Sequence, residues 1–198
     1  MLTLVTMGLL PLAAKKTIVF MGDSITAGYG IGDDQAFPAL IQEKLDELEL
    51  DYTVINAGVS GETSAGGLNR INWLLKRPID IFVLELGAND GLRGQMVEAT
   101  RSNLIEILNR VREKYPAADL ILAGMQVPPS MGPDYSSAFR SMFGEVADST
   151  DAHLIPFTLE GVGGVDELNL PDGIHPNRKG HQMIAELVWK HVEPFLEK

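Results

Sequence analysis

Five short β-branched and apolar runs, at 17–21, 52–56, 79–86, 120–123 and 153–156, set the narrowest limits on how this chain folds. A strand with one face in water alternates apolar and polar side chains, whereas a strand buried on both faces reads as a continuous apolar run. The runs here are of the second kind and predict a parallel sheet covered on both sides. Between them lie amphipathic stretches. Leu40, Ile41, Lys44, Leu45 and Leu48 mark one helical stripe, and a better one runs from Val97 through Leu104, Leu108 and Val111 to Tyr115, ahead of Pro116. Ile184, Leu187, Val188 and His191 mark a last helix. Strand–helix alternation of this kind predicts a three-layer, doubly wound α/β fold.

A chain of 198 residues with 45% apolar composition, no internal repeat and no low-complexity linker suits one domain with a substantial core. Residues 15–198 are read as that domain, flavodoxin-like, with a five-stranded parallel sheet. Residues 1–14 read either as the end of an export signal or as an N-terminal extension. They are apolar and close on Leu12-Ala13-Ala14, but no Lys or Arg precedes them, and they are too short to span a bilayer. A net charge of -11 opposes binding to nucleic acid or to anionic membrane surfaces, and no later segment is long and apolar enough for a transmembrane helix. Cysteine is absent, so disulfides and thiolate metal centres are ruled out.

Doubly wound sheets bind ligands beyond the carboxyl ends of their strands. Ser24 lies just past the first run, Gly61 past the second, Asn89 past the third, and Asp172 with His175 past the fifth. A serine hydroxyl becomes a useful nucleophile when an imidazole takes its proton, and a carboxylate usually fixes the tautomer of that imidazole. Each residue also has a plain structural use. Ser24 suits a helix cap, Asn89 and Gly61 suit turns, and Asp172 suits a cap ahead of a helix begun by Pro176. Asp23 reads as a turn or cap residue, and Asp90 as a hydrogen-bond partner of its turn. His153, His181 and His191 read as strand-end, surface and helix-face residues. The sequence has no His/Asp/Glu cluster with metal-ligand spacing and no phosphate cradle around Gly28, Gly30 and Gly32, so neither metal nor cofactor is expected.

Taken in order, Gly22-Asp23-Ser24-Ile25-Thr26, Gly61, Gly87-Ala88-Asn89-Asp90 and Asp172-Gly173-Ile174-His175-Pro176 resemble the SGNH (GDSL) hydrolase family. The likeness runs from residue 17 to the last helix. The context Leu86-Gly87-Ala88-Asn89-Asp90-Gly91-Leu92-Arg93-Gly94 is most similar to its bacterial thioesterase/lysophospholipase/arylesterase branch. The resemblance implies Ser24 as nucleophile, His175 as base and Asp172 as the acid that orients it. It further implies an oxyanion hole from the Ser24 and Gly61 backbone N–H groups and the Asn89 side chain. The branch often has Gly where Ala88 stands, a departure that bears on turn geometry. Because the branch includes exported enzymes, a periplasmic or secreted location is favoured over a cytoplasmic one.

What the resemblance implies is a serine esterase or arylesterase with thioesterase and lysophospholipase-type activity, working on small acyl esters or thioesters through an acyl-enzyme. Val127, Pro128 and Met131 in the loop after the fourth run, with Phe157 after the fifth, either wall an acyl pocket or cover the sheet edge. Two alternatives remain open on sequence. One is a carbohydrate O-deacetylase on the same scaffold. The other is a non-catalytic binding domain in which Ser24, Asn89 and Asp172 are caps and turns.

Overall fold

The sheet consists of β1 (Lys16–Gly22), β2 (Tyr52–Gly58), β3 (Ile81–Glu85), β4 (Asp119–Ala123) and β5 (His153–Ile155). All neighbours pair in parallel, in the order β2-β1-β3-β4-β5. The structure, a computed structural model, describes residues 15–197, so the reading of residues 1–14 lies outside the described residues. This strand order is the flavodoxin-like one. From β1, inside the sheet, the chain steps out to β2 at the edge, then reverses past β1 to β3, β4 and β5. Because parallel crossovers are right-handed, the reversal sends the later connecting helices to the opposite face.

The helices are α1 (Ser24–Ala27), α2 (Phe37–Glu47), α3 (Ser64–Leu74), α4 (Ala88–Leu92), α5 (Val97–Lys114), α6 (Pro133–Thr150) and α7 (Arg178–Val192). α2 packs against α7, while α3, α5 and α6 pack in a second row. Between these layers Phe20, Phe82, Phe139 and Phe143 are fully buried. Burying each such side chain contributes about 1.5–3 kcal/mol.

Every predicted strand is present, with bounds that move by a few residues. The strand in the 79–86 run begins only at Ile81, and just ahead of it the Asp80 carboxylate accepts the Thr17 N–H at 2.7 Å. α3 and α6 escape the sequence patterns. α3 carries Gly66 and Gly67, poor helix formers, yet a Cβ at Gly67 would lie 2.4 Å from Leu86 Cδ1. The glycine lets this helix sit close on the sheet. α6 opens on Pro133 and contains Gly144 and several Ser, so its stripe is visible only through the buried Phe139, Met142, Phe143 and Val146. On the open edge of β2, the Gln42 side chain accepts the Val54 N–H at 2.6 Å and donates to Tyr52 O at 3.2 Å. It covers part of an edge that would otherwise invite another strand.

Candidate active site

β1 ends in a turn that requires glycine. A Cβ at Gly22 would lie 2.1 Å from Thr26 Oγ1 and 2.7 Å from a Glu85 carboxylate oxygen. Gly58, at the end of the neighbouring strand, is equally constrained, since its Cβ would meet the Ala27 backbone N at 2.3 Å. α1 therefore begins immediately above the sheet, with Ser24 as its first residue and 9% exposed. Asp23 caps it by accepting the Ile25 N–H at 3.0 Å. The first-turn N–H groups of such a helix favour negative charge on the rim.

β5 lies at the far edge from β2, so the chain has to travel back along the rim to bring Asp172 and His175 to Ser24. The segment is held by its own hydrogen bonds. Leu170 donates to His175 O at 2.7 Å, Asn177 N donates to Leu168 O at 2.9 Å, and Asn169 Nδ2 donates to Val162 O at 2.7 Å. Asn177 caps α7, so Pro176 does not begin that helix and Asp172 does not cap it. His175 Nε2 stands 3.0 Å from Ser24 Oγ, and His175 Nδ1 stands 2.7 Å from Asp172 Oδ2. The other Asp172 oxygen accepts the Ile174 and His175 N–H groups at 2.9 and 3.0 Å. The backbone bond from His175, then its ring and the Ile174 N–H, lower the Asp172 carboxyl to about 2. A carboxylate only accepts, so the Nδ1 proton lies on the Asp172 side and Nε2 is free to accept from Ser24. Tyr29 lies over the imidazole, with ring centroids 4.5 Å apart.

The remaining rim is built around Asp23. Asn89, in the first turn of α4, donates from Nδ2 to Asp23 Oδ2 at 3.1 Å. The positive φ of 115° at this turn falls on Gly87, so Ala88 is no obstacle to it. Gly61 adopts φ 79° in the loop after β2, and its carbonyl accepts from Arg93 at 3.1 Å. Arg70 steadies the same loop, donating to Glu62 and to Ala57 O. Asp90 reaches further than its own turn, accepting the Ser64 N–H and hydroxyl at 2.8 and 2.5 Å and so joining α4 to α3.

Beneath Asp23 lies Glu85, whose Oε2 accepts from Thr26 Oγ1 at 2.7 Å while Oε1 has no hydrogen-bond partner among the described residues. Burial, reinforced by the neighbouring Asp23 charge, raises the Glu85 carboxyl well above the usual range, and burial pushes Asp23 up to about 6. Both effects favour the neutral, protonated form of Glu85. Above the ordinary carboxyl value of 4.5 the unfolded chain releases this proton and the folded chain keeps it. Its contribution to stability is therefore complete below that value and declines as pH rises towards the folded value. Glu85→Gln is expected to gain thermal stability over the wild type between pH 4 and pH 8. A difference in Tm that stays constant over that range contradicts the assignment.

Of the residues expected at a site, Ser24, His175 and Asp172 form one hydrogen-bonded line, and Asn89 is hydrogen-bonded to Asp23, the residue that precedes Ser24. Val127 and Met131 lie against α4 and its exit: a Cβ at Gly91 would reach Val127 Cγ1 at 2.4 Å, and one at Gly94 would reach Met131 Cε at 3.7 Å. Pro128 is exposed beside them. Phe157 lines a separate groove with Arg140, Phe143 and Leu154. His181 is buried rather than on the surface. Its Nδ1 accepts the Phe37 N–H at 3.2 Å, tying α7 to α2, and burial lowers it to about 4. His153 and His191, read as strand-end and helix-face residues, stand 2.8 Å apart. Glu85, a carboxylate inside a buried strand, carries a signal visible in the sequence, whereas nothing local marks Asp23 as more than a turn or cap residue or ties Tyr29 to the site.

Residues 20–183 match the model of the GDSL-like lipase/acylhydrolase family. The chain is 42% identical to esterase TesA of Pseudomonas aeruginosa, over 93% of this chain and 91% of that protein. It is 37% identical to thioesterase 1/protease 1/lysophospholipase L1 of Escherichia coli, over 93% and 86%. Among solved structures, the psychrotrophic esterase EstA from Pseudoalteromonas superposes with a TM-score of 0.86 at 34% identity, covering 91% of this chain and 98% of EstA. The chain belongs to the GDSL-like lipase/acylhydrolase, or SGNH, family and is a serine ester hydrolase.

Proposed function

We propose that the protein transfers the acyl group of an ester or thioester to Ser24 and then to water. The continuous line from Ser24 Oγ through the His175 ring to Asp172 carries this reading. His175 Nε2 takes the hydroxyl proton as Ser24 Oγ attacks the carbonyl carbon, and the Asp172 carboxylate stabilises the imidazolium that forms. The tetrahedral oxyanion is held by the Ser24 and Gly61 N–H groups and the Asn89 amide. His175 then gives its proton to the departing alcohol or thiol as the carbon–oxygen or carbon–sulfur bond breaks. Water attacks the acyl-enzyme, loses a proton to His175 and releases the acid, and Ser24 recovers its proton.

The substrate class follows from the relatives, which are named for esterase, thioesterase and lysophospholipase activity. Val127, Pro128 and Met131 offer the acyl chain an apolar wall beside α4, whereas Phe157 stands in its separate groove and takes no part in it. With p-nitrophenyl esters, kcat/KM should rise from acetate to medium-chain acyl groups, each methylene on the wall adding up to about 0.8 kcal/mol. A strict preference for acetate contradicts the acyl wall and favours a deacetylase.

A further inference from the structure

Asn89 is useful to an oxyanion only if its NH2, not its carbonyl oxygen, faces the site, and the two ends of an amide are nearly the same shape. Something has to choose between them. In this structure the choice falls to Asp23, which is 1% exposed and whose Oδ2 accepts from Asn89 Nδ2 at 3.1 Å. A carboxylate has no proton to give, so it can face only the NH2 end. One N–H is thereby tied down, and the planar geometry of the amide fixes the direction of the other. The second oxygen of the same carboxylate accepts the Ile25 N–H at 3.0 Å, in the helix that carries Ser24. A single side chain thus joins the nucleophile turn to the Asn89 turn, 66 residues away in sequence.

We propose that Asp23 is a positioning residue for the oxyanion hole, acting through Asn89 rather than on the substrate. The inference rests on the proposed role of Asn89 as an oxyanion donor. Glu85 fits beneath it. Its Oε2 lies 3.4 Å from the Asp23 backbone N–H and 2.7 Å from the Thr26 hydroxyl, which fixes the turn from below. Burial raises the Glu85 carboxyl and so favours its neutral form, which eases ionisation of Asp23, and pH 8 lies above the Asp23 value of about 6. A neutral, two-faced amide at position 23 would lose this discrimination while keeping nearly the same shape.

The test separates helix capping from amide positioning with Asp23→Ser, since Ser is also a strong N-cap but its one short oxygen cannot serve Asn89 as well. Four full-length proteins are compared on p-nitrophenyl butyrate at pH 8: wild type, Asp23→Ser, Asn89→Ala and the double variant. Asn89→Ala should lower kcat by about 10²–10³, as removal of one oxyanion donor does elsewhere. Asp23→Ser should lower kcat by about tenfold or more with KM within about twofold. In the Asn89→Ala background the same change should cost less than about threefold, because coupled residues are not additive. Asp23→Asn, which keeps the size and the cap, must show the same collapse of its cost, so the test survives if the Ser variant folds poorly. An equal fold-loss in both backgrounds overturns the inference while leaving the Asn89 reading intact, and Asp23 is then only a cap. A loss below tenfold for Asn89→Ala alone overturns the oxyanion reading itself, and the inference with it.

Discussion

Ser24→Ala is expected to lower kcat for ester hydrolysis by on the order of 10⁶, with the fold and Tm nearly unchanged. In the proposed mechanism the hydroxyl is the atom that bonds to the acyl group. Ser24 is 9% exposed at the start of a helix whose cap is the Asp23 side chain, so removing one oxygen leaves the turn intact. His175→Ala should cost a similar factor, because Ser24 Oγ has its base at 3.0 Å and the hydroxyl is nearly inert without it. The informative result is the double variant. In the proposed mechanism Ser24 and His175 act as one unit, so removing both should cost little more than removing either. Steady-state kinetics on the four proteins, after a check for contaminating esterase, measures this directly. Losses that multiply would mean that the two residues contribute independently and that the hydrogen-bonded line is not a relay.

Asp172→Asn is expected to lower kcat by about 10⁴ with little change in KM. The geometry makes this substitution unusually decisive. Asp172 Oδ1 accepts two backbone N–H groups, from Ile174 and His175, at 2.9 and 3.0 Å. In the asparagine variant those donors keep the carbonyl oxygen where Oδ1 was. The NH2 group then takes the place of Oδ2, 2.7 Å from His175 Nδ1 in the wild type. A donor facing Nδ1 forces the ring proton onto Nε2, so the imidazole can no longer accept from Ser24. The measurement is kcat and KM across pH 6–9. A loss below about tenfold would show that the Asp172 charge and tautomer control matter little here.

The buried architecture was legible because continuous apolar strands have no other comfortable home than a doubly covered parallel sheet. The candidate site was legible for a related reason: Ser24, Gly61, Asn89 and His175 all follow strands, and a parallel sheet delivers every such loop to one rim. What stayed hidden depends on contacts distant in sequence. Nothing local shows that Phe37 donates to His181, which turns an apparent surface histidine into a buried link between α2 and α7. Nor does local pattern reveal α3, where Gly67 lowers helix propensity and is required by the approach to Leu86. Asp23 was seen as a cap, and its cap bond is real, but its second oxygen acts on Asn89 across the site. Glu85 is the one case where the signal was present and simple: a carboxyl in a fully buried strand needs an explanation.

The central claim is that Ser24 is the residue that carries the acyl group. Its most direct test is to treat the native protein with a fluorophosphonate ester and locate the adduct by peptide mass spectrometry. The predicted result is one phosphonyl group per chain, on Ser24, formed in step with the loss of esterase activity and absent from His175→Ala on the same timescale. An inactivated protein whose adduct lies on another residue, or full turnover with Ser24 modified, contradicts the account.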